Sequence, residues 1–85
     1  MRIIYTKHVL QKCTDLKKLG VVITKSHIRS VLSDPSSVDK YKDYPKIIVT
    51  GAFDKQHVLR VVYKVEGDII TVITCYPTRK GRYIS

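Results

Sequence analysis

HVLRVVYKVEGDIITVITCY, residues 57–76, decides the fold, because it reads as a β-hairpin. Two runs rich in β-branched residues flank Glu66-Gly67, and a turn-forming pair between two such runs is the strongest hairpin signal in the chain. With Glu66 and Gly67 as the loop, Val65 is expected to pair with Asp68, Tyr63 with Ile70, Val61 with Val72 and Leu59 with Thr74. Side chains alternate across a strand. One face then carries Leu59, Val61, Tyr63, Val65, Ile70 and Val72 and needs a cover. The other carries Arg60, Val62, Lys64, Thr71, Ile73 and Cys75. A slip of one residue would exchange the two faces.

Upstream, RIIY (residues 2–5) is a short strand candidate. Thr6 reads as a helix N-cap, since its hydroxyl can accept a backbone N–H one turn on. The helix runs to Leu19, with Gly20 as a left-handed C-cap. Val9, Leu10, Cys13, Leu16 and Leu19 recur at helical spacing and form its expected buried stripe. Thr24 caps a second helix whose stripe is Ile28, Val31 and Leu32, ended by Asp34-Pro35. His27 stands where a capping-box glutamate would, and reads as surface filler. PSSVDKYKDYP (35–45) reads as an irregular connection in which Tyr41 and Tyr44 either pack as a lid or face a ligand, packing being the simpler expectation. KIIVTGAF (46–53) is the next strand, and Gly51 inside it signals a bulge or the close approach of another segment. Asp54-Lys55-Gln56 turns into the hairpin, and Pro77 is expected to close the last strand.

The expected fold class is therefore α+β: an N-terminal strand, two helices, then a three-stranded antiparallel meander with both helices on one sheet face. At 85 residues the chain reads as one domain, 1–85, able to build a modest core. No apolar run reaches the roughly 18 residues of a membrane span, and MRIIYTKHV lacks the apolar centre of a signal peptide. Cys13 and Cys75 are too few for a disulfide framework and too far apart for a metal knuckle, so they read as reduced thiols and point to a cytoplasm.

Charge carries the functional signal. Sixteen Lys+Arg against seven Asp+Glu give a net +9. Residues 1–33 hold seven of the basic residues and one acid, and the last ten residues add Arg79, Lys80 and Arg82 with no acid. Two concentrations of positive charge suggest a polyanion, most simply nucleic acid; the plain alternative is a lysine-rich solvated surface. On this reading Lys12, Lys18, Lys64, Lys80 and Arg82 contact an RNA backbone and Tyr76 or Tyr83 stacks on a base.

LRVVYKVEGDIITVITCYPTRKGRY resembles the C-terminal half of the RelE/ParE toxin superfamily, in which a strand arginine and tyrosine precede a hairpin, and an arginine and tyrosine follow it. The matching positions are Arg60, Tyr63, Arg79 and Tyr83. IIYTKHVLQKCTDLKKL resembles the family's opening strand and helix, and His8 fits a short, uncharacterised prokaryotic branch with a histidine early in that helix. Thr78 stands where the toxins often have histidine, and the lysines before the arginine strand have only Lys46 and Lys55 as stand-ins. The resemblance implies a RelE-like fold, metal-free cleavage of RNA with ribosome-bound mRNA as one substrate, and an acidic antitoxin as partner.

The chemistry is consistent with that on its own terms. The sequence shows no carboxylate pair, nucleophile–base motif, phosphate loop or metal-ligand cluster, and implies no cofactor. Attack by an RNA 2′-OH needs only proton transfer and cations around the phosphorane. Arg60 and Arg79 can supply the cations through their planar forks, and Tyr83 or His8 the proton transfer. Arg60, Arg79 and Tyr83 are expected to form one site on the uncovered face, the two guanidiniums bracketing one phosphate. Two other readings stay open: a non-catalytic RNA-binding module, and a ParE-like inhibitor of a protein target.

Overall fold

The computed structural model describes residues 2–82. The elements are β1 (Arg2–Tyr5), α1 (Lys7–Lys18), α2 (Lys25–Ser33), β2 (Ser37–Asp39), β3 (Ile47–Ala52), β4 (His57–Glu66) and β5 (Ile69–Arg79), then a 3-10 turn at Lys80–Arg82. The strands form one mixed sheet in the order β1-β5-β4-β3-β2. β1 runs parallel to β5 and every other pair is antiparallel. This corrects the expected element order. A fourth antiparallel strand, β2, forms where residues 35–45 read as irregular. Ser37-Val38-Asp39 is too short to show a period, and it becomes a strand only because β3 offers it an edge.

The hairpin register also differs, for a reason visible in the turn. The loop is Gly67-Asp68, flanked by the pair Glu66–Ile69. Gly67 has φ 59°, the positive value that a type II′ turn asks of its first central position, and among the described residues no non-glycine has positive φ. The expected loop would have placed Glu66 there, at a steric cost that glycine avoids. Val65 therefore pairs with Ile70 and Tyr63 with Val72. The offset is even, so near the turn the faces do not exchange.

Farther along they do. The ladder shifts between Val62 and Tyr63: Tyr63 pairs with Val72, but Val62 pairs with Thr74 and Val61 with Cys75. Ile73 is the extra residue of a β-bulge. The bulge moves Cys75 to the covered face, where it is fully buried rather than beside Arg60. Ile73's carbonyl accepts from the Thr6 hydroxyl at 2.9 Å. The same Thr6 oxygen accepts from Val9 N at 3.2 Å and so caps α1. One side chain thus opens the helix and satisfies the bulge. Pro77 does not close the strand but lies inside β5, opposite Leu59. β1 reaches only to Val72, so β5 is a free edge there and tolerates a residue without an N–H.

Val9 of α1, Ile23 of the link between the helices, Ile28 and Val31 of α2, and Val49, Leu59, Val61, Val72 and Cys75 of the sheet form one core. Both helices therefore cover the same sheet face. Of the expected α1 stripe, Val9 is buried and Cys13 and Leu16 pack at the margin, whereas Leu10 and Leu19 are exposed. Gly20 ends α1 at φ 85°, with Val21 N bonding Leu16 O and Gly20 N bonding Lys17 O, a Schellman closure. His27 is not filler. Its Nδ1 accepts from Thr24 N at 3.0 Å, completing a capping box with imidazole in the carboxylate's place. Its ring also meets Phe53 edge-on at 5.1 Å. Among the described residues no helix is long and apolar enough to cross a membrane.

Candidate nucleic-acid interface

The sheet face away from the helices is organised by register. Ser37 pairs with Thr50, Thr50 with Arg60, and Arg60 with Tyr76. Four hydrogen-bonding side chains from four strands thus form one lane across the sheet, at the 4.7–4.9 Å strand spacing. The adjacent row is Asp39, Ile48, Val62 and Thr74. Its apolar centre is tightly closed: Ile48 is 6% and Val62 8% exposed, and Thr50 beside them 4%. A partly buried arginine here rests on a dry floor, which strengthens what its head group does.

Arg60 Nη1 donates to the Tyr76 hydroxyl at 3.0 Å. The guanidinium carbon is 5.6 Å from the Tyr76 ring centroid, near the outer limit for a cation–π contact. We take the hydroxyl bond as the contact that fixes the pair. A phenol oxygen that accepts from arginine keeps its own O–H to donate. Arg60 and Tyr76 therefore set a cation beside a hydroxyl donor, a combination suited to a phosphate oxygen. Asp39, at the far side of the face, is held below the ordinary carboxylate range by the backbone N–H groups of Lys42 and Tyr41. Its role is to shape the following loop rather than to accept a substrate proton.

The other sequence-selected residues lie elsewhere. Arg79 pairs with His57 at the end of the ladder, three positions beyond Tyr76. That is an odd step along an alternating strand, so Arg60 and Arg79 start from opposite faces. Arg79 instead lines a cleft of about 460 Å³ with Gln56, Lys80 and Gly81. Tyr63, an odd step from Arg60, packs against the core, and burial pushes its phenol up. Lys64 shares the open face but pairs with Glu66 at 3.1 Å. His8, Lys12 and Lys18 are on α1, a helix of the covered side. Arg82 is in the final turn, and Tyr83 lies outside the described residues. The structure brings together Arg60 with Tyr76, and Arg79 with Lys80.

One feature escaped the sequence reading. His57 Nδ1 lies 2.9 Å from Asp54 Oδ1. That oxygen also accepts from Gln56 N at 2.8 Å and His57 N at 2.7 Å. The Gln56 N–H first, and then His57, hold the Asp54 carboxyl below its usual range. The D-K-Q-H spacing is an Asx-turn signature, and it places an oriented imidazole opposite Arg79. The two thiols are free. Burial first, and Cys13 beside it, push Cys75 up to about 12, so it stays a neutral packing group. Among the described residues no three His, Cys, Asp or Glu side chains gather as metal ligands.

Comparisons with family models, curated proteins and solved structures find no match.

Proposed function

We propose that the protein binds RNA across its open sheet face and cleaves it there without a metal. The observation that carries this reading is the Arg60–Tyr76 pair, on the sheet face away from the helices of a cationic chain. RNA supplies its own nucleophile. The 2′-oxygen bonds to phosphorus and its proton passes to water. The P–O5′ bond breaks, Tyr76 protonates the departing oxygen, and the phenol regains its proton from solvent. Arg60 neutralises the charge that builds on the non-bridging oxygens, the largest kind of contribution a site of this type can make. The RelE/ParE resemblance is in keeping with metal-free cleavage, with a cytoplasmic location, and with an acidic antitoxin as partner of the same cationic surface.

One observation favours slow chemistry. The three histidines stand on α1, in the α2 capping box and at the β3–β4 turn, so none is in the lane. A positioned base contributes roughly 10²–10⁴ in rate, and a site with none among the described residues leans toward binding. The test is incubation of purified protein with labelled RNA in EDTA. Products should carry 2′,3′-cyclic phosphate ends, and a single 2′-deoxy substitution should block cutting at that position. Arg60→Ala should lower the rate by about 10²–10³ with the fold intact. Cleavage unchanged in Arg60→Ala would overturn the site. Binding without cleavage would leave the RNA-binding module.

A further inference from the structure

We propose that the loop between β2 and β3 is a base-stacking platform, which makes unpaired RNA the ligand of the open face. The inference rests on the reading of that face as an RNA surface. The loop is KYKDYPK, residues 40–46. Tyr41 is 88% and Tyr44 81% exposed, the highest values among the exposed large apolar side chains of the described residues. The simpler expectation, that these rings pack, is not what the structure shows. Bare rings of this size add nothing to the core, and exposed aromatic groups rimmed by polar residues mark contact sites.

Chemistry chooses the partner. Exposed Lys40 and Lys42 flank Tyr41, and exposed Lys46 follows Tyr44 by two residues, with Asp43 before it. Three lysines against one aspartate leave the loop net positive, which opposes pairing of two copies through it and favours a polyanion. Aromatic rings among cations are how single-stranded nucleic acid is held, since every base has a face to stack. A duplex hides those faces, so the rings have purchase only on unpaired bases.

Position agrees. Asp39 shares the open face with Arg60, in the next row across two strand intervals, or about 10 Å. Asp39 Oδ1 accepts from Tyr41 N and Lys42 N, each at 3.0 Å. Lys46 N bonds Asp43 O at 2.8 Å. The loop is therefore shaped where the Ser37–Tyr76 lane reaches the sheet edge. A strand with a phosphate at Arg60 and Tyr76 can run along the lane and lay its bases on Tyr41 and Tyr44.

Without tryptophan the chain's intrinsic fluorescence comes from its six tyrosines, so stacking reports itself. The experiment titrates full-length protein with an oligouridine and with a duplex RNA of equal length at one salt concentration. The oligouridine should bind more tightly and quench the fluorescence. Tyr41→Ala and Tyr44→Ala should each weaken oligouridine binding roughly tenfold, the scale of one stacked base, and leave duplex binding unchanged. Tyr41→Phe and Tyr44→Phe should bind as wild type, because stacking uses the ring and not the hydroxyl. If both Ala variants keep wild-type affinity while Arg60→Ala loses it, the platform is refuted and the RNA surface stands. If wild type binds neither RNA, both fall, and the rings belong to a protein contact. The exposed rings can be removed without touching the core, and circular dichroism of each variant confirms that the fold survives.

Discussion

At the residue scale, Gly51 shows how much one position can carry. A Cβ built there would lie 3.1 Å from both Cγ atoms of Val31 and 3.3 Å from its Cβ. The glycine has no positive φ, so the need is for space, and that space lets α2 settle onto β3. Gly51→Ala should cost about 1–3 kcal/mol by overpacking. Val31→Ala in the same chain should recover part of that loss, measured by urea unfolding. If Gly51→Ala is neutral alone, the helix does not sit as closely as described. The sequence carried this feature, because glycine inside an apolar strand implies a close approach. It did not carry the Arg60–Tyr76 bond, which depends on a bulge thirteen residues from Arg60. Local periodicity held no sign of Ile73 as the extra residue, because the Thr6 hydroxyl that bonds its carbonyl lies 67 positions away.

At the element scale, the hairpin and both helices were legible because each has a local cause: β-branched alternation, and capping threonines at Thr6 and Thr24. What was not legible is how strands meet. β2 exists through its partner, and the turn chose the glycine position that suits II′ geometry. Two turns also carry a pH dependence. Asp39 and Asp54 are both held below the ordinary carboxylate value, chiefly by backbone N–H donors. A carboxyl with a depressed folded-state pKa adds stability above its unfolded value, about 3.9, and loses it as pH falls through the lower folded value. The thermal midpoint should therefore decline as pH drops below about 4. Asn keeps an acceptor oxygen without a titrating proton, so Asp39→Asn with Asp54→Asn should flatten that decline. Since the main donors are uncharged amides, added salt should change the slope little. A double variant that tracks wild type down to pH 2 would remove these turns from the account.

At the scale of the whole molecule, the net charge of +9 is spread over two sides of the sheet. The α1 lysines lie on the covered side and Arg60 and Lys64 on the open one, while Arg79 and Lys80 line a cleft at the hairpin's end. Single-stranded binding loses affinity with a log–log salt slope of about 0.7 per phosphate neutralised. Replacing Arg79, Lys80 and Arg82 together by Ala should reduce the slope by about 2 if all three meet phosphates. An unchanged slope would confine RNA to the lane and its loop. The charge totals were plain in the sequence, but their division between faces is a product of the register. The parallel pairing of β1 with β5 also bears on how the protein is made. Thr6 and Ile73 are 67 positions apart, and among the described residues β5 is the one strand beside β1. At synthesis rates of about 5–20 residues per second, the first strand waits on the order of 3–13 s for its partner to be translated. For that interval the apolar side of α1 has no sheet edge to anchor it, so the nascent chain is a client for whatever shields hydrophobic segments at the ribosome exit.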